Sequence, residues 1–123
     1  MRKPGFTGQI TFLHAEDLQK TKAFYADILG LKLARDQKTC LIFQVTDSAY
    51  MGFCDHIESI NQGRKVILTL VTDDVDTWYR VLVEKNVEII EPPKANPKYQ
   101  IYHFFFKDPD GYWVEIQRFD NQL

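Results

Sequence analysis

Apolar and polar residues alternate with period two along positions 9–14, Gln-Ile-Thr-Phe-Leu-His, and then recur at helical spacing at Leu18, Thr21, Tyr25 and Ile28. The change of period predicts a strand followed by a helix. Asp17 stands where an N-cap would accept the first free amides, and Gly30 stands where the chain would leave the helix through a left-handed residue. Three short runs follow at 32–35, 39–45 and 50–54, parted by the turn-forming Asp36-Gln37-Lys38 and Thr46-Asp47-Ser48. The first half therefore reads β-α-β-β-β.

The second half repeats that order. Residues 65–72 pattern as a strand, Asp73-Asp74 opens a helix carrying Val75, Trp78, Val81 and Leu82, and Asn86 takes the place of Gly30. Runs at 87–90, 101–106 and 112–117 supply three more strands. Two modules, 8–56 and 64–119, are each too small to bury a core alone, so within a single domain spanning 1–123 they are expected to pair their sheets, either inside one chain or across a dimer. The predicted class is α+β: tandem β-α-β-β-β modules forming a curved, mostly antiparallel sheet around a cleft, with helices outside. Residues 91–98, with Pro92, Pro93 and Pro97, are the one long irregular segment, either a flap over the cleft or a plain surface connection.

The chemistry concentrates near the C-terminus, where Asp108-Pro109-Asp110-Gly111 joins two aromatic and β-branched runs and Glu115 interrupts the second. Strand alternation places Trp113, Glu115 and Gln117 on one face. A hairpin closed through 108–111 would set Glu115 opposite Phe104, between aromatic rings. A carboxylate there binds a cation, pairs with a base or faces a wet cavity, unless its face is simply solvated. Phe12, Tyr50, Phe104, Phe106 and Trp113 are candidates to line a pocket for a flat or apolar ligand, and equally candidates for the core. In the same register His103 falls on the face away from Glu115, toward the helices.

Composition narrows the partners. A formal net charge of −2 with a pI near 5.9 and interspersed signs offers no basic stripe for nucleic acid and no polybasic segment for anionic lipid. No apolar run reaches membrane-spanning length, and the opening Met-Arg-Lys-Pro-Gly lacks the apolar core of a signal peptide, so the expected location is the cytoplasm. Cys40 and Cys54 lack Cys-x-x-Cys spacing and are expected to be reduced, serving as small apolar fillers. His56, next to Asp55 at a strand end, is expected to be exposed.

The segment from Asp17-Leu18 through Ala23-Phe24-Tyr25 to Ile28-Leu29-Gly30-Leu31, the repeated module, and Asp108-Pro109-Asp110-Gly111 followed by Glu115 together resemble the vicinal oxygen chelate superfamily. That group includes glyoxalase I, bleomycin-resistance proteins, fosfomycin-resistance enzymes and extradiol dioxygenases. The resemblance covers nearly the whole chain and implies a U-shaped cleft, usually within a homodimer. It also implies a divalent ion held by the first strand of each module and by a glutamate of the last strand, with open positions for two adjacent substrate oxygens.

Glu115 matches that glutamate. The first-strand positions fall on Ile10 and Ile67, and the further position that resemblance to glyoxalase I implies on the last strand of the first module falls near Gly52, none of which offers a side-chain ligand. His14, on the face of Ile10, is read as a substrate contact or acid/base group, or else as a rim histidine. Two functions follow from the resemblance. One is a binding protein without a metal cofactor that takes an aromatic or cationic small molecule. The other is a metal-dependent lyase, transferase or dioxygenase using Glu115 with non-standard ligands such as His14.

Overall fold

The computed structural model describes residues 4, 6–56 and 66–121, and these divide into two compact units, 1–62 and 63–123. In the first unit β1 (Gln9–His14) leads into helix α1 (Leu18–Lys22), and β2 (Lys32–Asp36), β3 (Cys40–Thr46) and β4 (Ala49–Cys54) follow. Asp17 caps α1, its carboxylate accepting from the amides of Gln19 and Lys20 at 3.0 and 3.3 Å. From Ala23 to Ile28 the helix widens to π geometry, with the Leu29 amide donating to the Phe24 carbonyl at 3.0 Å. Regular spacing predicts Tyr25 and Ile28 inside. The wider turn buries the adjacent pair Phe24 and Tyr25, with Leu29, and leaves Ile28 partly exposed. Gly30, at φ +76°, ends the helix as the sequence predicts.

The strand order in this unit is β1-β4-β3-β2, with β1 and β4 parallel and the other pairs antiparallel. Alternation divides the sheet into two faces. Leu13, Phe43 and Phe53 look toward the helix, where Tyr25 stacks on Phe53 at 4.5 Å and meets Phe43 at 5.8 Å. Ile10, Phe12 and His14 occupy the other face, beside their register partners Tyr50, Gly52 and Cys54.

The second unit repeats the plan with β5 (Ile67–Val71), α2 (Val75–Glu84), β6 (Ile89–Asn96), β7 (Ile101–Lys107) and β8 (Trp113–Phe119), in the order β5-β8-β7-β6. Asn86, at φ +58°, ends α2 in the left-handed region, as Gly30 ends α1. The α+β class and the two tandem modules are as the sequence predicts, in two mixed, open sheets. The irregular segment expected over 91–98 is instead mostly strand. β6 continues to Asn96, and its pairing with β7 shifts register between Ile89 and Glu91 and between Glu91 and Lys94. An edge strand tolerates Pro92 and Pro93 in this way, because its outer side needs no amide donors and a bulge absorbs the misfit.

One residue of register separates the expected hairpin from the observed one. Asp108 accepts from the amides of both Asp110 and Tyr112 at 2.9 Å, so Tyr112 belongs to the turn and the ladder closes at Lys107↔Trp113. Glu115 consequently lies opposite Phe105, and Phe104 lies opposite Ile116. Because side chains alternate, this single step exchanges the faces of the whole of β7.

Candidate functional site

The exchange of faces decides what surrounds Glu115. Phe104 and Phe106, expected in a pocket, lie fully buried on the helix side, where Tyr79 of α2 packs edge-on against Phe104 at 5.4 Å. They belong to the core. His103, expected toward the helices, lies beside Glu115 with its Nδ1 2.6 Å from Oε2. With the carboxylate as acceptor, the imidazole donates through Nδ1–H, and Nε2 is the second polar atom of the ring. That atom is buried without a hydrogen-bond partner among the described residues.

Two further groups meet the same carboxylate. Thr69, the register partner of Glu115 on β5, donates its hydroxyl to Oε1 at 2.9 Å. Gln117, with its amide turned so that the nitrogen faces the carboxylate, donates to Oε2 at 2.9 Å. Glu115 is only 8% exposed, and such a charge is tolerable only when its lone pairs are met. Here imidazole, hydroxyl and amide meet them.

This cluster opens on a cavity of about 540 Å³ within the second unit, inside the usual range for small-molecule sites, roughly 300–1,000 Å³. Its apolar wall includes Ile67, Ile101, Phe105 and Phe119, and its polar wall includes His103, Glu115 and Gln117. Glu91 and Lys94, paired at 2.8 Å, lie on β6 along the same cavity. Part of the segment read as a flap or connection is thus a cavity wall. Rings continue outward from the cluster, His103 edge-on to Phe105 at 5.2 Å and Phe105 against Trp113 at 5.4 Å. Trp113 shares the face of Glu115, as expected, and is 42% exposed.

The remaining candidates lie in the first unit. Phe12 is half-exposed, its ring resting on the backbone of Gly52, so close that a Cβ there would fall 2.4 Å from a ring carbon. Tyr50 sits on the same face and donates its hydroxyl to the Asp47 carbonyl at 3.4 Å. His14 is partly buried at the end of β1, with Nε2 3.3 Å from the exposed Glu16. Cys40 and Cys54, expected to be free thiols, are register partners on β3 and β4 and form a disulfide. They occupy a close pair of the ladder, Cα atoms 4.1 Å apart, next to the hydrogen bond from the Asp55 amide to the Thr39 carbonyl. Exposed His56 lies against them, Nδ1 3.8 Å from Cys40 Sγ.

Sequence reasoning missed Thr69, Phe105, His103 and Cys40–Cys54 as partners, because each depends on strand register. Counting Tyr112 into the turn after Asp108 gives the observed β7–β8 register. Folding the strands at 39–45 and 50–54 about Asp47 sets Cys40 opposite Cys54.

With the geometry in place, the sequence itself matches the glyoxalase/bleomycin resistance protein/dioxygenase superfamily over residues 8–116. The chain belongs to that superfamily. Among curated proteins none matches it. Solved structures agree on the fold. A lactoylglutathione lyase from Agrobacterium tumefaciens superposes with a TM-score of 0.74 at 22% identity, covering 94% of this chain and 96% of that one. A glyoxalase/bleomycin resistance protein/dioxygenase from Nocardioides superposes at 0.75 and 19% identity, covering 100% and 92%. TioX from Micromonospora sp. ML1 superposes at 0.77 and 13% identity, covering 92% and 98%. At these identities the likeness speaks for the fold alone. Among the described residues no helix is long and apolar enough to cross a membrane.

Proposed function

We propose that this superfamily member binds a small, flat, largely apolar molecule in the cavity of its second module, and that the superfamily's metal position is not used as one. The observation that carries this reading is the engagement of both Glu115 oxygens by Thr69, His103 and Gln117. A divalent ion on Glu115 would compete with these donors for the carboxylate's lone pairs. In return it would find one imidazole, since the other expected ligand positions carry Ile10, Ile67 and Gly52. The residues present therefore fit the ion poorly. They suit a ligand that lays an aromatic or aliphatic body on Ile67, Ile101 and Phe105 and presents one polar group to His103 Nε2. The resemblance adds a homodimer as the expected binding unit, which light scattering on purified protein checks.

The test uses protein with the Cys40–Cys54 disulfide intact. Ni(II), Zn(II), Mn(II) and Fe(II) are expected to leave the melting temperatures of the native protein and Glu115→Gln equally unchanged. Metal stabilisation present in the native protein and lost in Glu115→Gln would overturn the reading in favour of a metal-dependent enzyme. A panel of neutral and cationic aromatic compounds, followed by Trp113 fluorescence, should yield binders that Phe105→Ala weakens by about tenfold, the effect of losing roughly 1.4 kcal/mol of ring contact.

A further inference from the structure

Away from this cavity, three side chains with metal-binding atoms converge in the first unit. The sulfurs of Cys40 and Cys54 and a ring nitrogen of His56 lie within 4.8 Å of one another. Both cysteines are buried and His56 is exposed, so the group opens to solvent on the histidine side. The β3–β4 ladder fixes the two sulfur-bearing residues as direct partners, and the Asp55 amide bonded to the Thr39 carbonyl anchors the chain just before His56. Backbone pairing thus holds the two cysteines opposite each other and anchors the residue next to His56.

We propose that Cys40, Cys54 and His56 form a zinc site opened by reduction. In the oxidised chain the sulfurs are bonded to each other and present no thiolate. A dithiol reductant breaks the S–S bond and is itself oxidised to a disulfide, its two electrons and two protons leaving Cys40 and Cys54 as thiols. Zn²⁺ then takes both thiolates and the neutral imidazole, releasing the two thiol protons to solvent. Tetrahedral zinc, with Zn–S of about 2.3 Å and Zn–N of about 2.0 Å, needs ligand atoms roughly 3.3–3.8 Å apart. The ligand atoms lie within 4.8 Å of one another, and once the S–S bond is broken, rotation of the cysteine side chains moves the sulfurs apart toward that distance. Two thiolates and an imidazole favour zinc over magnesium or calcium, and three protein ligands leave a fourth position for water. His14, the register partner of Cys54 on β1, lies on the same face beside the site.

The experiment compares the full chain in oxidised and reduced form, the thiol state verified by mass spectrometry after alkylation, with Zn²⁺ measured against a chromophoric chelator. The reduced protein is expected to bind one equivalent and the oxidised protein none. Co²⁺ in place of zinc should give thiolate-to-metal charge-transfer absorption. Cys40→Ser should abolish binding, and His56→Ala, a change at an exposed residue with no core to disturb, should weaken it at least about tenfold. Glu115→Gln should leave binding unchanged, which separates this site from the cavity of the second module. Equal zinc uptake in both redox states, or full affinity in His56→Ala, would overturn the proposal. So would loss of binding in Glu115→Gln.

Discussion

The two modules share one topology and use it for different chemistry. Matching Asp17 with Asp74 aligns Phe12 with Thr69, and the parallel β1–β4 and β5–β8 pairings then align Gly52 with Glu115 and Cys54 with Gln117. One more antiparallel step aligns Cys40 with His103. At the centre of the open face the first module has a glycine under an aromatic ring, and the second has a buried carboxylate under a hydroxyl. One strand further, the first module closes a covalent bond where the second closes a hydrogen-bonded imidazole. A shared backbone register thus fixes where chemistry can stand without fixing which chemistry it is.

The sharpest break of this comparison is removal of Glu115. Glu115→Ala leaves His103, Thr69 and Gln117 without their common acceptor and should cost about 3–5 kcal/mol of unfolding free energy in urea. A loss below about 1 kcal/mol would mean that the carboxylate does not organise the site. Next in size, opening the Cys40–Cys54 bond, which closes a loop of sequence separation 14, should cost about 3 kcal/mol. Urea melts with and without reductant, with Cys40→Ser/Cys54→Ser indifferent to reductant, check it. Gly52→Ala drives a methyl into the Phe12 ring and should cost about 1–2 kcal/mol. Phe12→Ala in the same chain should relieve most of that cost, and additivity of the two changes would refute the contact.

The smallest effect lies on the helix side of the second sheet. Tyr102 donates to Asp76 at 2.6 Å. That hydrogen bond, then burial, then the Asp76 charge raise the tyrosine pKa above its usual value. A folded-state pKa above the unfolded one gives stability that is complete below about pH 10 and is lost as pH rises through the folded value. Unfolding free energy should therefore fall in alkaline buffer, and Tyr102→Phe should flatten that fall.

Much of this was legible in sequence, for reasons that particular residues make plain. Asp17, Gly30 and Asn86 act locally, through caps and left-handed φ, and their roles follow from residue type and spacing alone. The tandem modules follow from the recurrence of those signals. The surroundings of Glu115 depended on one turn residue. Tyr112 enters the turn because the Asp108 carboxylate accepts its amide, and local composition does not distinguish that from a turn one residue shorter. The π segment at 23–28 was hidden for a different reason: the core wants Phe24 and Tyr25 together, and packing overrides the regular helical period. The cysteines carry no signal until the strands that hold them are paired.

The proline pair in β6 has a consequence for assembly. β6 is an outermost strand of its sheet, and unpaired amides on such a rim can template a strand from another molecule. Pro92 and Pro93 have no amide hydrogens to offer, and the shifts of register around Glu91 kink the rim that an incoming strand would have to follow. The rim beside the cavity is therefore a poor seed for fibres.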